Sequence, residues 1–102
     1  MTAEVLVTTR GVEVFEDGRR VAGIRWRRAV SRVDADHYAA VVRDRQGLPV
    51  YDVDVDVDAD GVYVHEWTTQ GPMVLAHFAM PQGTQYMGLF DGFRYVWAPA
   101  EV

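Results

Sequence analysis

Between Val50 and Asp58 apolar and acidic residues alternate with a period of two: Tyr51, Val53, Val55 and Val57 take one parity and Asp52, Asp54, Asp56 and Asp58 the other. Successive side chains of an extended chain point to opposite faces, so this spacing predicts a strand with one buried and one wet face. Asp58-Ala59-Asp60-Gly61 follows as a turn, and Val62 to Thr68 as the returning strand. With Gly61 as the left-handed last residue of a three-residue loop, Val57 faces Tyr63, Val55 faces His65 and Val53 faces Trp67. That register adds the aromatics to the valine face. A two-residue turn at Asp60-Gly61 sets Tyr63 and Trp67 among the aspartates, a poorer burial, so the first register is expected. In it Val62 and Val64 point outward, where they suit a homodimer contact.

The rest of the chain reads the same way. Glu4 to Thr9 and Val12 to Glu16 predict strands, with a hairpin signal at Glu16-Asp17-Gly18-Arg19. Val21 to Val33 is too long for one flat strand, and Arg28 interrupts the apolar parity of Ala22, Ile24, Trp26 and Val30, so a bulge or bend is expected near Arg27 to Ala29. His37 to Asp44 carries an Asp36 cap and two alanines that suit a helix, but Gly47 and Pro49 end it within two turns. Helices that short are marginal, and a strand is expected there. Met73 to Met80, Tyr86 to Phe90 and Phe93 to Trp97 complete a set of about eight strands, the last two joined at Asp91-Gly92. Short connections force antiparallel neighbours, so residues 1 to 102 are expected to form one all-β domain, a small antiparallel up-and-down barrel.

Composition narrows the class. A chain of 102 residues holds one core, and its 49% hydrophobic content is rich in valine, which favours sheet. There is no cysteine, hence no disulfide framework and no thiolate metal site. Neither a basic-then-apolar leader nor a long apolar run appears, and a cytoplasmic protein without a membrane partner is the expectation. Charge is uneven: residues 1 to 46 hold nine Arg against seven acids, +2, and residues 47 to 102 hold one Arg against eight acids, −7. The arginine-rich segment from Gly18 to Arg32 reads as a neighbour of the aspartate face or a solvated stretch, because a net charge of −5 opposes nucleic-acid binding.

Candidate chemistry is sparse. Asp56, Asp58, Asp60 and Gly61 begin a calcium-loop pattern, but the position for its bidentate glutamate is Trp67. Ser31 is the only serine and has no nucleophile elbow around it. His37, His65 and His77 fall on separate strands with no metal-ligand spacing, so no metal and no cofactor are expected. The second half is rich in rings and thioethers, which either fill the core or line a pocket for a hydrophobic small molecule. In the pocket reading Tyr63, Trp67, Phe78 and Met80 line the cavity, joined by Tyr51 from the valine face and Trp26 from the parity of Ala22 and Ile24. Tyr86 and His65 then supply the polar, catalytic tips.

The segment Gly83 to Trp97 resembles the C-terminal motif of allene-oxide-cyclase-like (dirigent-type) β-barrels, through Gly83, Tyr86, Gly88, Leu89, Gly92, Phe93 and Arg94. Within these it is most similar to the spirotetronate cyclases of actinomycete polyketide pathways. Asp60-Gly61-Val62 leading to Glu66-Trp67, and Phe15-Glu16-Asp17-Gly18 leading to Ile24, are similar to two earlier strands of that family. The chain is shorter than the family, has one extra residue between Leu89 and Gly92, and carries Val96 where the family has tryptophan. The resemblance implies a cofactor-independent intramolecular [4+2] cyclase of a linear polyketide. Such a reaction asks only for a cavity that holds the reactive conformer and a hydrogen bond to an activating carbonyl. Two alternatives stand beside it: a non-catalytic carrier using the same barrel, and an interaction module, such as an immunity protein or DNA mimic, that presents Asp52, Asp54, Asp56 and Asp58 to a basic partner.

Overall fold

The computed structural model describes residues 1 to 100, except for the side chain of Tyr51. Ten strands follow one another: β1 (Ala3–Thr8), β2 (Gly11–Glu16), β3 (Arg19–Arg25), β4 (Ser31–Asp34), β5 (His37–Arg43), β6 (Pro49–Asp58), β7 (Gly61–Thr68), β8 (Gly71–Ala79), β9 (Thr84–Phe90) and β10 (Arg94–Pro99). No helix forms among the described residues, and none is long and apolar enough to cross a membrane. The all-β expectation holds, and His37–Arg43 is a strand.

The closed barrel does not form. The strands divide into two antiparallel sheets, β3-β2-β1-β10-β9 and β4-β5-β6-β7-β8, so the meander is interrupted between β3 and β4 and between β8 and β9. The first interruption has a local cause. The bend expected near Arg27 to Ala29 is present, at Arg27 and Arg28: the chain leaves the strand after Arg25 and folds over the β1–β2 turn. There the Trp26 amide donates to Arg10 O (3.0 Å), its indole to Thr9 O (3.1 Å) and the Val30 amide to Thr9 O (2.7 Å). Those bonds take the main chain away from β3 and set Trp26 as a buried cap on the core. At the second interruption Pro81-Gln82-Gly83 carries the chain from one sheet to the other, closed by Thr84 Oγ1 donating to Pro81 O (2.6 Å).

One core lies between the sheets. Val5, Val12, Tyr95 and Trp97 come from the first sheet and Val55, Val62 and Val64 from the second, all almost without exposure. Asp17-Gly18 and Asp91-Gly92 both pair two positive φ angles (48° and 80°, 59° and 79°), the type I′ hairpin turn whose twist matches that of its strands. The central hairpin corrects the expected register by one residue. Asp58 pairs with Gly61, Val57 with Val62, Val55 with Val64, Asp56 with Tyr63 and Asp54 with His65. Asp58 Oδ1 accepts the amides of Asp60 (2.8 Å) and Gly61 (3.2 Å), which clamps a two-residue Ala59-Asp60 loop and leaves no place for a third loop residue. Val62 and Val64 therefore point into the core, not outward to a dimer partner, and Tyr63, His65 and Trp67 share a parity with the aspartates.

All four edge strands carry a bulge. Val21 on β3, Val33 on β4, Leu75 on β8 and Met87 on β9 are each the extra residue where the register shifts, and each is exposed. Gly61 has a different constraint. A Cβ there would stand 2.0 Å from Phe78 O of the neighbouring strand, at a φ of 146°. Gly61→Ala should lose about 2–3 kcal/mol of stability in urea unfolding, whereas Gly47→Ala, whose added carbon meets nothing, should lose about 1 kcal/mol.

Candidate functional site

Three rings of the first sheet hold the far turns of the second. The Tyr95 hydroxyl donates to Ala35 O (2.9 Å) and lies 2.7 Å from the Tyr38 hydroxyl, which also accepts from Arg32 (2.5 Å). The Trp97 indole donates to Ala59 O (2.9 Å). Tyr86, expected as a catalytic tip, lies against Trp97 with ring centres 5.0 Å apart and reaches Asp36 Oδ1 at 3.5 Å. Burial, then the charge of Asp36, raises the Tyr86 pKa. His65, the other expected catalytic residue, stands on the outer face of the second sheet, opposite Asp54. Sheet and core separate the two side chains.

The expected pocket lining is likewise dispersed. Phe78 and Met80 do turn inward and pack against the core, and Trp26 caps it. Tyr63 lies on the outer face, stacked on His77 with ring centres 3.9 Å apart and planes 8° from parallel. The side chain of Tyr51 lies outside the described residues. Trp67 borders an open pocket of ≈490 Å³ with Pro49, Val50, Thr68 and Thr69, and Trp26 borders a more polar one of ≈370 Å³ with Arg27, Arg28, Asp52 and Glu66 among its walls. Pairing explains why the Trp67 pocket exists. β6 and β7 run together only from Val53–Glu66 inward; before that Tyr51, Val50 and Pro49 pair with β5, while Trp67 and Thr68 pair with β8. The two strands fork, and Trp67 stands at the fork.

The outer face of the second sheet gathers a second group. Cross-strand pairing sets Asp34, His37, Asp56, Tyr63 and His77 in one row, and Ala39, Asp54 and His65 in the next. All three histidines of the chain thus meet on one face, although their sequence spacing predicts nothing of the kind. His37 Nε2 contacts Asp54 Oδ1, and His37, Asp54 and Asp56 each offer a ligand atom within 4.8 Å of the others. Burial first, and then the Asp54 charge, raises the pKa of Asp56. The arginine-rich segment sends Arg28 to this side, where Nε meets Asp52 Oδ2 at 2.9 Å. The calcium-loop reading finds no support in the turn, since the Asp58 carboxylate is engaged by backbone amides.

The fold and these two sites define a two-sheet antiparallel meander with an apolar fork at one end and a histidine-aspartate face on one side. Compared with family models, curated proteins and solved structures, the chain matches none. The residues that carry the resemblance to allene-oxide-cyclase-like barrels also have local structural work. Gly83, Gly88 and Gly92 take positive φ (82°, 117° and 79°), and Arg94 pairs with Glu4 (3.3 Å) and Asp91 (3.1 Å).

Tyr95 sets a pH dependence. Burial, then its bond to Tyr38, pushes its pKa far above the ordinary tyrosine value. Below about pH 10 the phenol keeps its proton in both folded and unfolded chains; above it only the unfolded chain ionises, so stability should fall as pH rises. In urea unfolding, Tyr95→Phe should cost about 1–2 kcal/mol at neutral pH and flatten the loss above about pH 10.

Proposed function

We propose that this domain binds a hydrophobic small molecule in the fork between β6 and β7, against Trp67. The observation that carries this reading is the pocket itself. Its ≈490 Å³ falls within the range of small-molecule sites, and its walls are Pro49, Val50 and Trp67 with threonines at the edge. Val50 and Trp67 are about two-fifths exposed, so an apolar ligand removes surface from water that the fold leaves uncovered. The space between the sheets is a poorer place for a ligand, since Val5, Val55, Val62, Val64, Tyr95 and Trp97 occupy it.

Cofactor-independent [4+2] ring closure of a linear polyketide is the finer reading, and it rests on the resemblance of Gly83 to Arg94. In this architecture the substrate would be folded in the fork rather than in a lumen. Carriage without chemistry needs less, since an open pocket encloses a flexible chain on fewer sides. The acidic-ridge reading has weaker support, because Asp52 is paired with Arg28 and Asp54 with His37.

Tryptophan fluorescence tests the binding site directly. Trp26 and Trp97 are buried, so the solvent-exposed part of the emission belongs to Trp67. An apolar polyene probe should quench that part saturably, and Trp67→Ala should weaken its binding at least about tenfold while leaving the fold intact. Affinity unchanged in Trp67→Ala would place the ligand elsewhere. Incubation with a linear diene-dienophile polyketide then separates ring closure from carriage by whether the product differs from the substrate.

A further inference from the structure

We propose that His37, Asp54 and Asp56 bind one divalent transition-metal ion of the zinc class on the outer face of the second sheet. This goes beyond the ligand pocket at Trp67 and does not depend on it. The argument begins with placement. His37 on β5 stands directly opposite Asp56 on β6, and Asp54 is two residues along the same strand, so all three side chains share one face. They rise from paired strands rather than from a loop, which fixes their origins. One imidazole nitrogen and two carboxylate oxygens lie within 4.8 Å of one another. An ion with bonds of about 2.0–2.2 Å draws such atoms together by small side-chain rotations.

Charge favours occupancy. Two carboxylates lie side by side on a half-buried surface, with Asp34 in the same row as Asp56. Among the described residues no arginine forms an ion pair with Asp54 or Asp56; the nearest arginine pair is Arg28 with Asp52. A dication held by two carboxylates and a neutral imidazole is a neutral assembly, and it replaces the His37–Asp54 contact with two metal bonds. The donor set selects the metal: imidazole with carboxylate suits zinc, nickel or cobalt, while calcium requires six or more oxygens. Three protein ligands leave a coordination position open. His65, opposite Asp54 and stacked near Tyr63 with ring centres 6.2 Å apart, is the imidazole best placed to approach it.

The test uses the full chain freed of metal with a chelator and titrated with zinc chloride by calorimetry, with magnesium and calcium chloride as controls. One equivalent of zinc should bind with a dissociation constant of about 10 μM or tighter. At a hundredfold excess over that constant the melting temperature should rise on the order of 10 °C. His37→Gln, Asp54→Asn and Asp56→Asn should each weaken binding at least about tenfold, with melting in chelator showing that each variant folds. His77→Gln and Trp67→Ala should bind zinc as the native chain does, the latter separating this site from the ligand pocket. No binding up to about 1 mM zinc overturns the proposal. So does equal affinity in His37→Gln and Asp54→Asn, or a preference for calcium or magnesium over zinc.

Discussion

The two sheets are held in register by large buried rings that each end in a hydrogen-bond donor. Tyr95 and Trp97 are fully covered, yet each carries a donor that must find a partner, because an unpaired buried hydroxyl or indole N–H costs about 1–3 kcal/mol. The partners are carbonyls in the β4–β5 and β6–β7 turns of the opposite sheet, Ala35 O and Ala59 O. Valine packing alone has no direction and would tolerate sliding of one sheet over the other. The two donors remove that freedom, and Tyr86 at Asp36 and Arg32 at Gly92 O add contacts of the same kind.

Local patterns in the sequence predicted local structure well. The Asp-Gly pairs at 17–18 and 91–92 specify their hairpins through backbone conformation alone, and the alternation from Tyr51 to Asp58 specifies a two-faced strand. The central register departs from the expected one because turn chemistry outweighs the burial of large rings. Asp58 clamps a two-residue loop with its carboxylate, and the resulting pairing gives the deepest burial to Val62 and Val64, while Tyr63 is covered by His77 instead of by the core. Closure failed to appear for a similar reason. Nothing in the spacing from Val21 to Val33 shows that Trp26 and Val30 will bond to the β1–β2 turn rather than continue a ladder.

The candidate sites were less legible than the fold. Trp67 was expected on the valine face and instead shares the parity of the aspartates, and the fork that exposes it depends on where two pairings stop, which no residue type marks. The convergence of His37, His65 and His77 depends on three successive registers across β5, β6, β7 and β8. A shift of one residue in any of them sends a histidine to the core side. The signal that was present in the sequence is the aspartate parity itself: whichever residues pair across from it acquire acidic neighbours.

The bulges at Val21, Val33, Leu75 and Met87 have a consequence for the molecule among its own copies. An open pair of sheets has four free margins, and each is a template on which another extended chain can add by main-chain bonding. One surplus residue per margin kinks the row of amides and carbonyls and raises an apolar side chain where an incoming strand would lie. Irregularity of this kind makes each of the four margins a poor template for a further strand, the role that closure would serve in a barrel.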